Sequence, residues 1–189
     1  MIKIYSFNVH PGLLPYYPGT NSISGALYNN EKTTGITIHL INEKLDGGNI
    51  CLVKKIKIRK NELAINLWIK ILRRTPELIN KLISKLENNK LRLYKNNYKK
   101  IKKFPSYIPK NGKIFSDIQK KELLRMYRAN YYFPFKSSWG QLNFTYKKKK
   151  YHIIKLDPTN LKSNNFLEKI NSKQFILNIK KSKFLATIN

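Results

Sequence analysis

Acidic side chains are scarce in this chain: 10 Asp and Glu stand against 38 Lys and Arg among 189 residues, a formal charge of +28. There is one cysteine, Cys51, which excludes an internal disulfide framework and points to a reducing compartment. Beside a strand-like run, Cys51 reads as a buried, inert thiol and not as a nucleophile. No apolar run approaches the ~18 residues of a membrane span, and the opening Met-Ile-Lys-Ile-Tyr-Ser lacks the apolar core of a signal peptide. A cytoplasmic protein without a membrane partner is the resulting expectation. Arginine is scarce as well, 6 residues against 32 lysines, although it is the usual choice for bidentate phosphate contacts. The basic surplus has two compatible readings. One is a polyanionic partner such as RNA. The other is coding drift, since Lys, Asn and Ile make up 78 of the 189 residues.

Residues 2–9 read as a strand that is apolar on both faces, as in the inner strands of an α/β sheet. Pro11 ends it, and Pro11 to Gly19, with three prolines and two glycines, is a loop. Residues 20–29 suit a short helix, with Thr20, Asn21 and Ser22 as candidate caps. Two strands are expected over 35–41 and 50–58, joined by the loop 42–49. Residues 61–71 and 75–86 suggest a helix pair, broken or kinked at Pro76. The Lys-, Asn- and Tyr-rich stretch 88–113 reads as a linker. A helix from Ser116 to about Tyr131 and strands at 141–146, 151–156, 174–179 and 184–188 follow, with Lys147–Lys150 as a hairpin turn.

Three polar residues stand out. Asn8 and His10 end the first strand, separated by one residue, so they share a face. Asp46 lies in the second loop. An amide, an imidazole and a carboxylate are what chemistry on a carbonyl needs: a donor for a developing oxyanion, a proton carrier and a group to orient that carrier. Taken singly, each has a plainer role: Asn8 a turn cap, Asp46 before two glycines a turn aspartate, His10 a strand end. His39 reads as structural, His152 as an ordinary strand residue, and Trp68 and Trp139 as packing. Nothing in the spacing of His10, His39 and Asp46 resembles a metal site.

The run Asn8-Val9-His10-Pro11-Gly12-Leu13-Leu14-Pro15-Tyr16-Tyr17-Pro18-Gly19 resembles the Asn-x-His-Pro-Ser-Leu-Leu-Pro-x-Tyr-x-Gly signature of the folate-dependent formyltransferases. Thr34-Gly35-Ile36-Thr37-Ile38-His39 through Leu45-Asp46-Gly47-Gly48 resembles that family's Gly-Val-Thr strand and Leu-Asp-x-Gly loop. The segment Arg128-Ala129-Asn130 with Phe133-Pro134-Phe135 is similar to the opening of the C-terminal domain in methionyl-tRNA formyltransferases, and amino-sugar formyltransferases carry a related segment. The resemblance implies formyl transfer from formyltetrahydrofolate, as co-substrate, to a primary amine. It makes Asn8, His10 and Asp46 the catalytic residues and requires no metal. It places the pteridine of the folate against the backbone of Leu40, Ile41, Asn42, Glu43, Lys44 and Leu45.

The acceptor it implies is methionyl-tRNA. An amino-sugar nucleotide is the alternative, favoured by Pro18, where many tRNA-acting relatives carry arginine; Gly12 in place of the common serine is compatible with it. A third reading is a non-catalytic relative that binds nucleic acid. The implied architecture is an α/β, Rossmann-like formyltransferase domain, its C-terminal half only, followed by a small α+β, OB-like region. The implied divisions are residues 1–90 for the partial catalytic domain, 91–113 for the linker and 114–189 for the C-terminal domain. The signature begins at residue 8, where family members have several βα units first. The missing N-terminal half is then expected upstream of the assigned start, in a second chain, or lost in a degenerate relative.

Overall fold

The β-branched run Thr33-Thr34-Gly35-Ile36-Thr37-Ile38 carries the first sheet. In the computed structural model, which describes residues 5–102, 104–163, 165–179 and 182–188, this run lies in β2 (Thr33–Leu40), between β1 (Phe7–His10) and β3 (Ile50–Lys57). Residues 2–4 of the expected first strand lie outside the described residues. Both ladders are antiparallel. That corrects the inner-strand reading of residues 2–9: β2 is the one ladder partner of β1 among the described residues, so β1 is an edge of this sheet. Two-sided apolar character marks a buried strand, but it says nothing about position within the sheet.

The β1–β2 register sets Asn8 opposite His39 and His10 opposite Thr37. Residues directly opposite on a ladder project to the same face. The helix α1 (Ser22–Tyr28) follows the Pro-rich loop and is buried over Ser22 to Leu27. Ile36, Ile38, Leu27, Ala64 and Leu67 are fully enclosed in this core.

Instead of two helices, one continuous α2 spans Ala64–Glu87 with Pro76 inside it. Its buried residues, Ala64, Ile65, Leu67 and Ile71 before the proline and Leu78 and Leu82 after it, share one face. Packing of that face carries the helix through a residue that breaks an isolated one. Pro76 itself is exposed, so its ring meets no core. The Thr75 hydroxyl donates to the Ile71 carbonyl, 2.9 Å away, in the turn before it.

Two compact units divide at Phe104 and Pro105. The stretch read as a linker is packed at both ends. Tyr94 pairs with Ile50 in a backbone bridge, and Lys102 N–H donates to Tyr16 O at 2.8 Å in the first unit. In the second unit, Ile108 and Ile114 are buried. The short chain between them hides its apolar residues among polar ones, which gives no periodic signal.

The second unit holds α3 (Lys120–Asn130) and the strands β4 (Asn143–Tyr146), β5 (Lys149–Pro158), β6 (Leu167–Lys169), β7 (Gln174–Ile179) and β8 (Ser182–Ile188). The helix starts four residues later than Ser116, which lies in a turn. The strand order is β4-β5-β8-β7-β6, all antiparallel. Among the described residues β4 and β6 are the edges of this sheet. The hairpin turn is only Lys147-Lys148, both at positive φ, 47° and 64°. Two such residues make a type I′ turn that matches strand twist. Trp139, Phe144, Phe175 and Phe184 fill this core, and the Trp139 indole N–H donates to Pro105 O at 2.7 Å. No described helix is long and apolar enough to cross a membrane.

Because Pro76 lacks the N–H that an interior helical residue supplies, Pro76→Ala is expected to raise stability by ~1–3 kcal/mol. A higher urea midpoint with an unchanged m-value is the measurement that checks it.

Candidate active site

The loop after β2 turns back on itself so that Asp46 reaches β1. Asp46 adopts a left-handed backbone, φ 48°, which costs on the order of 1 kcal/mol for a residue other than glycine. Gly48 passes so close to β2 that a Cβ there would lie 1.7 Å from Leu40 O. No side chain fits at that position. Leu40 N–H donates to Asn49 O at 2.9 Å and closes the loop.

The Asp46 carboxylate is nearly buried, its side chain 9 % exposed. Gly19 N–H donates to Oδ2 at 2.6 Å, and His10 Nδ1 lies 3.2 Å from the same oxygen. Asn8 Nδ2 donates to Oδ1 at 3.1 Å, and His39 Nε2 lies 3.4 Å from it. A buried carboxylate is tolerated when donors such as the Gly19 N–H and the Asn8 amide occupy its oxygens. The three residues singled out in the sequence thus meet at one point.

His39, which the sequence left as a structural strand residue, joins them as a neighbour of Asn8 and Asp46. Strand alternation placed it away from Ile36 and Ile38, and that is so. The ladder register then puts it opposite Asn8, on the face that carries the site. His39 Nδ1 donates to Leu40 O at 2.8 Å. This leaves Nε2 as a lone pair that accepts from Asn8 Nδ2 at 3.2 Å. Both N–H bonds of the Asn8 amide therefore have partners, Asp46 and His39.

His10 is only 2 % exposed. Its Nε2 faces the Tyr17 carbonyl at 2.8 Å and its Nδ1 faces Asp46. Both neighbours accept, so the neutral ring satisfies one of them and the imidazolium satisfies both. Burial opposes that charge most strongly and lowers the His10 pKa below the ordinary 6.5, against upward pulls from Asp46 and the Tyr17 carbonyl. The loop beneath leaves no space: a Cβ on Gly12 would lie 2.7 Å from His10 Nε2. Thr37 Oγ1 donates to Gly12 O at 2.6 Å and accepts from Leu14 N–H at 3.1 Å, holding that loop to β2. Tyr17 is anchored through its hydroxyl, which donates to Glu31 at 2.7 Å and accepts from Asn29 at 3.0 Å. Burial and the Glu31 carboxylate push the Tyr17 phenol well above its ordinary pKa, so it remains a donor.

A cavity of about 400 Å³ opens on this cluster, lined by Asn8, His39, Asp46 and residues 41–45. Ile41 and Leu45 are exposed there, 58 % and 70 %. Of the candidate folate contacts, Ile41, Asn42, Glu43, Lys44 and Leu45 line the cavity and Leu40 does not. Leu40 spends its N–H on Asn49 and its carbonyl on His39. His10 sits behind Asp46, away from the cavity lining. Among the described residues no group of three His, Cys, Asp or Glu is placed to hold a metal ion. Cys51 is buried, and burial raises its thiol pKa.

A histidine whose pKa is lower folded than unfolded adds stability above the unfolded value and loses it as pH falls through the folded value. His10 is such a group, and in that window the unfolded chain binds the extra proton. The parent is expected to show a lower urea midpoint at about pH 5 than at about pH 7.5. His152 is lowered as well, so the reading is the difference from His10→Gln, whose midpoint should fall less.

The sequence profile of the formyl transferase family matches residues 1–83. The methionyl-tRNA formyltransferase of Thermotoga neapolitana is 33 % identical over 116 residues, 60 % of this chain and 36 % of that protein. The GDP-perosamine N-formyltransferase of Brucella melitensis biotype 1 is 34 % identical over 87 residues, 46 % of this chain and 34 % of that protein. The chain thus spans about a third of the length of these relatives. The crystal structure of an N-formyltransferase from Helicobacter canadensis, in complex with folinic acid and dTDP-3-aminofucose, superposes with a TM-score of 0.70 at 28 % identity, covering 97 % of this chain and 66 % of that one. Asn8, His10 and Asp46 lie inside the segment that the formyl transferase profile matches, and that segment is similar to formyltransferases that act on methionyl-tRNA and on GDP-perosamine.

Proposed function

We propose that this chain transfers a formyl group from formyltetrahydrofolate to a primary amine. The observation that carries the reading is the single hydrogen-bonded set of Asn8, Asp46 and His10, open to the 400 Å³ cavity through Asn8 and Asp46. The amine nitrogen attacks the formyl carbon, a C–N bond forms, and the carbonyl oxygen takes the electron pair. One N–H of Asn8 turns from His39 Nε2 to that oxyanion. Removing one such donor typically costs ~3–4 kcal/mol of barrier.

The proton shed by the attacking amine passes to Asp46, which faces the cavity, and is shared with His10 Nδ1 behind it. The imidazolium so formed meets two acceptors already in place, Asp46 and the Tyr17 carbonyl. The proton returns to the folate nitrogen as its bond to the formyl carbon breaks. Residues 41–45 line the slot for the pteridine, whose flat polar edges suit backbone donors and acceptors.

Methionyl-tRNA is the acceptor favoured by the charge of +28, because a polyanion gains from a basic surface. An amino-sugar nucleotide is the second reading, supported by the likeness to the Helicobacter canadensis enzyme over 97 % of this chain. Incubation of the full chain with formyltetrahydrofolate and each acceptor, followed by detection of the N-formyl product, separates the two. Turnover is expected to drop about 100-fold or more in Asn8→Ala and in Asp46→Asn. Absence of product with every acceptor overturns the proposal, and full activity in Asn8→Ala overturns the assigned role.

A further inference from the structure

The left-handed turn at Asp46 is braced from a part of the chain fifty residues away. Tyr94 and Ile50 exchange two backbone hydrogen bonds, each 2.8 Å. Two residues on, the Asn96 side chain enters behind the catalytic loop and is 8 % exposed. Its Nδ2 donates to Asp46 O at 2.8 Å and to Gly48 O at 3.3 Å. Among the described residues its Oδ1 is buried and meets no donor.

A buried amide that leaves its oxygen unsatisfied is an unfavourable way to fill space. The N–H pair is what the position uses. It ties together the two carbonyls that flank Gly47, in a loop where Gly48 already touches β2. Those carbonyls define the path of the backbone from which the Asp46 carboxylate projects toward His10.

We infer that Asn96 is a positioning residue: by holding the Asp46 and Gly48 carbonyls it keeps the Asp46 carboxylate in register with His10 Nδ1. As a statement about catalysis this rests on the proposed formyl transfer; as a statement about geometry it stands apart from it.

The test follows the His10 ring by imidazole NMR titration on the full chain. The groups facing that ring are the Asp46 carboxylate, the His39 ring and the Tyr17 carbonyl. Asn96→Leu is close in size and removes both the N–H pair and the unsatisfied oxygen. Once the loop relaxes, His10 loses part of the upward pull of Asp46, and its midpoint is expected to fall by about half a unit or more. In an Asp46→Asn background the same change is expected to move the midpoint no further. Asn96→Ala repeats the measurement should Leu fail to give a folded spectrum. A purely structural Asn96 would lower the melting temperature and leave the His10 midpoint unchanged. That result, a rise, or an equal shift in the Asp46→Asn background overturns the inference. No substrate enters the titration, so inactivity of the parent in the formylation assay bears on the function and leaves this result readable.

Discussion

Four donors and rings from three segments converge on the Asp46 carboxylate, and the arrangement of the first unit depends on that convergence. Gly19 comes from the Pro-rich loop, Asn8 and His10 from β1, His39 from β2. A carboxylate that is almost buried persists only when hydrogen bonds occupy its oxygens. Each contact therefore fixes a segment as much as it fixes the charge: the loop after β1 must bring Gly19 over the site, and β1 must pair with β2 in one register.

Around this point the chain is layered in support. The Tyr17 carbonyl takes His10 Nε2, and the Tyr17 ring is packed edge-on against Phe104 while its hydroxyl is tied to Glu31. Lys102 pairs with the same glutamate. In a chain with 10 acids, Asp46 and Glu31 hold the two loops that carry the site. The large excess of lysines lies mainly on the exterior, where it sets a positive field and contributes little to the fold.

Much of this was readable without coordinates. The Asn8–His10 pair and Asp46 stand in motifs whose spacing survives in the sequence, and the strand at 174–179 and the helix near Ser22 follow local patterns. The missed features share one cause. The edge position of β1, the single helix through Pro76 and the packing of Tyr94 and Lys102 are decided by what each segment rests against. His39 shows the limit most clearly. Its place on a strand was evident, but its partner depended on which residue of β1 came to lie opposite.

Inventory and local geometry are written in the residues themselves: an amide and an imidazole on one face of a strand that ends at His10, and a carboxylate in a loop with two glycines after it. Side-chain alternation and backbone preferences act between neighbours, so these are visible in a linear text. Only the tertiary structure decided that His39 faces Asn8, that His10 lies behind Asp46 and not at the cavity, and that Asn96 reaches the loop from fifty residues away. Ladder register and buried hydrogen bonds are settled by the whole packed unit, where each polar group takes whichever partner the fold leaves within reach.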